Sequence, residues 1–424
     1  MQLTDDEKRI LDGEQGFVPQ RCMEYLFDMA KVAGAERLVD LDGTADFHAP
    51  PTAMVPQYEF SVEELKKLVD AGAQFKIPTF SNKAPFYGAT FVDGWESCGY
   101  PPHDDAEYHE RAMHREWMGL YVRMGLILTY SCASYLTASY WPSIGQHCAW
   151  NESSAVPYCN ATLGGRTNID GSFASAYLGK APYYGMHVTE NRYATVVVES
   201  ERRIESEIEW DVFGFTVGEE CRLAVPALVN TGKPTTSKFL KFNTAANTGG
   251  SITMYHIPGS TPEAPSLDFA LGGRKPVRKV CFDDTHMRHT YDKLNYYSQN
   301  RVDMVSLGCP HFGLVDLMRL AKKLEGRKVR VPFWIMTAPS LYHQAGIQGY
   351  KEIFEAAGAV LLSGTCPAAV GGVPEGVRSL AVDAAKQAYY ISGLFPDGGL
   401  DVFYGTTDEC VEAALSGVWR GEWK

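Results

Sequence analysis

Three cysteines stand where short apolar runs give way to turns: Cys132 in TYSC, Cys309 in SLGC and Cys366 in SGTC. Each sits beside Ser, Gly, Thr or Pro and not inside the apolar run. Thiols held at strand ends can ligate soft metals or an iron–sulfur cluster. Free cysteine is also among the most buried residue types, so packing competes as a reading at each position. The three are 177 and 57 residues apart, and only the fold can bring them together. His311, two positions after Cys309, could be a ligand, an acid or base, or a group that orients a neighbour.

A second constellation lies in residues 141–171, WPSIGQHCAWNESSAVPYCNATLGGRTNIDG. Asn151, Glu152, Ser153, Ser154, Asn160, Arg166, Thr167 and Asn168 can bind anions and hydroxyls, and Arg166 offers a planar fork for a carboxylate or phosphate. The competing reading is a polar loop whose side chains cap helices and turns. Aromatic and aliphatic residues interleaved with the polar ones suggest burial, where an Arg or Glu needs a partner. Ser81 and Asn82 are weaker candidates at another expected strand end. His187, Glu190, Asn191 and Arg192 read better as a salt-bridged entry to a strand.

The elements that must position these groups repeat one plan, in which an amphipathic run, a glycine and a short apolar run end at a polar turn. Leu65, Leu68 and Val69 mark a helical stripe before Gly72, with a strand expected at Phe75–Ile77. Met118, Tyr121 and Val122 do the same before Gly125, with a strand at Leu126–Tyr130 that runs toward Cys132. A strand at Met304–Leu307 leads to Cys309, and one at Ala359–Leu362, after the helical Ile353, Phe354 and Ala357, leads to Cys366. Helices alternating with buried strands predict an α/β fold with parallel sheets flanked by helices in several subdomains. In such folds ligands gather outside the carboxyl ends of strands. Three regions are expected: 1–185 with Cys132 and the polar loop; 186–270 with strands at Ala194–Glu199 and Ser251–His256; and 271–424 with Cys309 and Cys366.

Composition bounds the function. The chain has 424 residues, 39 Lys+Arg against 51 Asp+Glu, and a net charge of −12, which argues against nucleic-acid or anionic-membrane binding. The N-terminus is acidic where an export signal is basic and then apolar, and no run is long enough to span a bilayer. Ten cysteines without a Cys-x-x-Cys pair fit a reducing, cytoplasmic setting, and any metal site must be assembled from distant segments.

Across LTDDEKRILDGEQG, TYSCASYL, GQHCAWNESSAVPYCNATLGGRTN, GMHVTENR, PGSTPEAPS, LGCPHFGL, SGTC and DECVEAAL, the chain resembles the large, catalytic subunit of aconitase X, a branch of the aconitase superfamily. The resemblance implies an aconitase-like hydro-lyase carrying an iron–sulfur cluster on Cys132, Cys309 and Cys366, in two-iron, three-iron or four-iron form. Family members dehydrate cis-3-hydroxy-L-proline or mevalonate 5-phosphate, both with a hydroxyl beta to a carboxylate. A cluster iron would act as Lewis acid for the departing hydroxyl while a base takes the alpha proton. The resemblance casts Ser153, Ser154, Arg166 and His311 in catalytic roles, with His311 supporting the ligands. Ser81, Asn82, Asn151, Asn160, Thr167 and Asn168 would contact substrate beside Arg166. No segment resembles the small swivelling domain of aconitases, so a separate small subunit, forming a heterodimer, is the expected partner. The rival readings are a noncatalytic cluster-binding scaffold, and a metal-free hydrolase with Cys309 as nucleophile and His311 nearby.

Overall fold

Helix starts follow capping signals written in the chain. Thr4, Ser61, Ser206 and Thr406 each accept the backbone N–H of a glutamate three residues on, whose carboxylate returns to the cap's own N–H. The structure is a computed structural model that describes residues 1–48, 60–81, 115–137, 140–367, 372–394 and 399–421. Asn82 lies outside the described residues, as does Lys83, which with Arg192 is a sequence candidate for an extra basic group that a phosphate would need. Among the described residues no helix is long and apolar enough to cross a membrane.

The first region holds β1 (Leu38–Asp40), β2 (Ala45–Phe47), β3 (Thr79–Ser81), β4 (Leu126–Ile127) and β5 (Lys180–Pro182). β1 and β5 pair antiparallel, and β2, β3 and β4 form a parallel sheet with β3 in the middle. The expected strand at Phe75–Ile77 is displaced to Thr79–Ser81, beyond Pro78. Phe75 instead joins an aromatic core with Phe47, Tyr121 and Phe173, whose ring centroids lie 5.6–6.4 Å apart. β4 is shorter than expected, and the chain from Leu128 to Ser131 is free to turn toward Cys132.

The second region is a parallel sheet of β6 (Val196–Ser200), β7 (Pro226–Val229) and β8 (Arg278–Phe282), in the order β7-β6-β8. Because β8 pairs with β6, this lobe runs past residue 270, where the sequence reading closed it. The strand expected at Ser251–His256 is also corrected: only His256 makes a bridge, to Ala227, and the rest is irregular chain with Ile252, Met254 and Tyr255 buried. The helices Glu207–Cys221 and Thr236–Gly250 pack backbone to backbone, since a Cβ on Gly250 would lie 1.8 Å from the Gly218 carbonyl oxygen.

The third region is a five-stranded parallel sheet of β9 (Met304–Phe312), β10 (Phe333–Thr337), β11 (Val360–Ser363), β12 (Ser379–Val382) and β13 (Asp401–Tyr404), ordered β11-β10-β9-β12-β13. The chain winds one way from β9 and then returns to β9's other side with β12. That reversal opens a crevice at the carboxyl ends of β9 and β12. Residues of both lobes, among them Trp210, Phe242, Met304, Trp334 and Val382, share one buried core, so the crevice has a rigid floor.

Candidate functional site

Cys309 does not end its strand, as the sequence suggested; it rides on a bulge within it. β9 pairs Leu307 with Ile335 and then Phe312 with Thr337, so five steps along β9 oppose two along β10. The extra chain is Gly308–His311, with a cis Cys309–Pro310 bond. Gly308 has φ +100°, and a Cβ there would sit 2.3 Å from the Met336 carbonyl oxygen, so only glycine lets the bulge leave the sheet. Thr337 Oγ1 donates to the Phe312 carbonyl at 2.7 Å and closes it.

Of the other two thiols, Cys132 arrives from the β2-β3-β4 sheet and Cys366 from β11, two strands away from β9 in the same sheet. Ser81, at the end of β3, accepts the backbone N–H groups of Thr129 at 3.1 Å and Tyr130 at 3.4 Å, and Tyr130 turns the chain with φ +42°. Ser81 thus steers the segment that delivers Cys132. Cys366 follows β11 after Gly364, whose φ is +70°. All three cysteines are half-buried. They are near enough that the charge of Cys366 raises the proton affinity of Cys132 and of Cys309, and that of Cys132 raises Cys309's as well. Burial first, then the Glu152 carboxylate, pushes the Cys132 thiol up to about 12, against the pull of the His311 N–H. Cys309 is raised mainly by burial, with Lys386 opposing. Such thiols ionise when a metal takes the proton's place. Among the described residues no three His, Cys, Asp or Glu side chains are grouped so as to hold a metal ion.

His311 ties the three approaches together. Its backbone N–H donates to Cys132 Sγ at 3.4 Å, and its ring Nε2 donates to the Thr365 carbonyl, next to Cys366, at 2.9 Å. A carbonyl can only accept, which leaves Nδ1 to accept from Ser131 Oγ at 3.1 Å, next to Cys132. With both ring nitrogens so engaged, the imidazole is not arranged as the base of a Cys309 nucleophile.

Lys386 is the residue that sequence reading missed. It lies in the first turn of the helix Ala385–Leu394, after β12, and is only 8% exposed. Its Nζ reaches Ser153 Oγ at 3.0 Å and Glu152 Oε1 at 3.3 Å. Burial alone would lower its proton affinity, but Glu152, with Tyr390, Cys309 and Cys132 behind it, raises it above the usual lysine value. Ser154 Oγ lies 3.1 Å from Glu152 Oε1 and 3.3 Å from the Cys132 carbonyl oxygen. A lone lysine in DAAKQAYY looks like a surface residue. The usable signal was its position, just beyond a buried strand where a doubly wound sheet places its chemistry.

The remaining polar residues do other work. Asn160 donates to the Thr167 and Thr253 carbonyls, each at 2.9 Å, and accepts from the Thr167 N–H at 2.9 Å. Thr167 accepts from the Trp150 N–H at 2.8 Å, and Asn151 donates to the Gly171 carbonyl at 2.8 Å. Asn168 accepts from the Met186 N–H at 2.9 Å and donates to the Tyr184 carbonyl at 3.2 Å. Arg166 turns to the His187 carbonyl at 3.0 Å and Thr189 Oγ1 at 2.9 Å. Beside it His147 and His187 bring their Nδ1 atoms to 2.9 Å, and burial, then His147, holds His187 neutral with a pKa down at about 3. Arg192 is buried in an ion pair with Glu263 at 2.6 Å.

Comparison with known proteins agrees with this architecture. Family models described as the first, second and third domains of aconitase X match residues 1–190, 194–292 and 302–416. The chain is 30% identical, over 92% of its length and 95% of the relative's, to the phosphomevalonate dehydratase large subunit of Thermococcus kodakarensis. It is 31% identical to the cis-3-hydroxy-L-proline dehydratase of Pseudomonas aeruginosa, over 97% of this chain and 69% of that one. A crystal structure of Thermococcus kodakaraensis aconitase X in its holo-form superposes with a TM-score of 0.79 at 29% identity, covering 98% of this chain and all of the other. The chain belongs to the aconitase X family of dehydratases.

Proposed function

We propose that this chain is the large subunit of an iron–sulfur hydro-lyase that dehydrates cis-3-hydroxy-L-proline. The observation that carries the reading is the convergence of the Cys132 and Cys366 loops on His311, two residues from Cys309, beside the Lys386–Glu152–Ser153 set. Cys132, Cys309 and Cys366 would hold the cluster, and the donors fit it: soft thiols, half-buried, with a backbone N–H aimed at one sulfur. Bound there, the cluster would supply a Lewis-acidic iron for the leaving hydroxyl. The protein's own groups do the rest. Glu152 orients the hydroxyls of Ser153 and Ser154 at the rim of the thiol cradle. His311 fixes the two neighbouring loops, so that the cradle needs little rearrangement during turnover. The alpha C–H and beta C–OH bonds break, a C=C bond forms and water leaves, with no change of oxidation state.

The preference for the imino acid over mevalonate 5-phosphate rests on cations. A phosphate calls for a second basic group, and Arg192, the described candidate, is locked to Glu263 with its Nη1 on the Met186 carbonyl at 3.1 Å. The base for the alpha proton is assigned to a small swivelling subunit, a partner supported by relatives named as large subunits. The test is anaerobic reconstitution of the pair with both hydroxy acids. Dehydration of cis-3-hydroxy-L-proline is expected. Turnover of mevalonate 5-phosphate alone would overturn the substrate, and a brown but inactive pair would support the scaffold reading.

A further inference from the structure

At the reversal of the C-terminal sheet, the bulge within β9 carries Cys309 and the chain leaving β12 carries Lys386 into one crevice. The lysine's place is expensive. A cation in the first turn of a helix meets the positive end of the helix dipole, and burial strips its water. The structure nevertheless fixes it firmly. Asp211 Oδ2 accepts the Ala385 N–H at 2.6 Å, and Gln387 Nε2 donates to Ser306 Oγ on β9 at 2.7 Å, so both neighbours of Lys386 are pinned.

Two of its three N–H donors go to Ser153 and Glu152, and the third has no acceptor among the described residues, with the Tyr390 ring centroid 5.4 Å away. Among the described residues the other basic groups nearby are committed. Lys241 pairs with Asp383 at 3.5 Å, Arg192 with Glu263, and Arg166 points to the His187 carbonyl. Three thiolates carry more negative charge than the common iron–sulfur cores carry positive, and Glu152 adds to it. An incoming carboxylate would be repelled unless a cation stood beside the cradle.

We propose that Lys386 is that cation: its Nζ, shared between Glu152 and Ser153 in the free enzyme, takes the substrate carboxylate and so sets which acids bind. This rests on the hydro-lyase reading and names the anchor that Arg166 was expected to be.

The test compares the anaerobically purified pair as wild type, Lys386→Met and Lys386→Arg. Probes are L-proline and mevalonate, which keep a carboxylate, and L-prolinamide, which does not. Thermal protection, iron content, visible absorption and steady-state kinetics are the readouts. Lys386→Met is expected to keep its iron and absorption, lose protection by either carboxylate, and raise KM roughly 10- to 100-fold, as loss of a charged hydrogen bond does. Lys386→Arg should restore part of both, and prolinamide should protect none. Three results would overturn the assignment: loss of iron in Lys386→Met, equal carboxylate protection in Lys386→Met and wild type, or no protection of the wild type. Failure of the hydro-lyase reading shows separately, as no conversion of either hydroxy acid by a wild type whose carboxylate protection still depends on Lys386.

Discussion

Two halves of one polar segment, built from the same residue types, have opposite fates. From Asn160 to Asn168 the polar atoms go mostly to backbone partners, so that Asn160 alone joins the Thr167 turn to the irregular chain at Thr253. From Glu152 to Ser154 the side chains meet one another, a lysine from a distant helix and the loop of Cys132. Saturation by local backbone marks the first as scaffold. Convergence of side chains from remote segments, beside half-buried thiols, marks the second as the site.

The contrast is broken most directly at the thiols. Cys132→Ala, Cys309→Ala and Cys366→Ala are each expected to lose bound iron and sulfide and all dehydratase activity, with far-UV circular dichroism retained. Full iron in any of the three would remove that cysteine from the cradle.

Next in size is Ser154→Ala against Arg166→Ala. The first should lower kcat by about 100-fold, the low end for a group acting on the reacting atoms. The second should cost about 1–2 kcal/mol of stability through the lost bonds to His187 and Thr189, with KM for cis-3-hydroxy-L-proline unchanged. Equal catalytic losses would erase the division between the halves. His311→Ala should follow, weakening iron retention about 10- to 100-fold during chelator challenge, since it frees the Ser131 and Thr365 loops together. Rescue by His311→Asn, which can keep one of those contacts, would tie the loss to positioning.

How much of this was legible in the chain follows the range of each interaction. Helix caps such as Ser206 with Glu209 are local, and the alternation of stripe, glycine and apolar run gave the parallel α/β plan. Cys132, Cys309 and Cys366 announced themselves by where their apolar runs ended, although the strand of Cys309 goes on past it. The bulge that places Cys309 is set by a close approach of Gly308 to Met336, which no pattern within β9 encodes. Nothing in the letters of β8 says which strand it joins, so its pairing with β6 shows only in the folded sheet. Within the polar block, sequence could count donors and acceptors but not say which were used up. Asn160 and Ser154 look equally available as letters. Lys386 was hidden for the converse reason, since one lysine in a helix reads as solvated unless the strand before it is known to open into the crevice.

The smallest expected effect on activity lies in the scaffold half, where the change is in the pH dependence of stability. Asp170 is buried, and burial raises its carboxyl to about 7, against hydrogen bonds led by that of Asn168. An unfolded aspartate titrates near about 3.9. Below that value both states are protonated and the group is silent. Between there and about 7 the folded state holds a proton that the unfolded state has released, so raising the pH favours unfolding, by at most about 1.4 kcal/mol per pH unit. Above about 7 both are ionised and the loss is complete. Asp170→Asn cannot ionise, so its stability relative to wild type should rise from pH 5 to pH 8, as read from urea unfolding at the two values. A constant difference would mean that the carboxyl is already ionised in the folded chain. Asn168 and Tyr184 would then be paired with a carboxylate, and the scaffold half would hold a buried charge as the site half does.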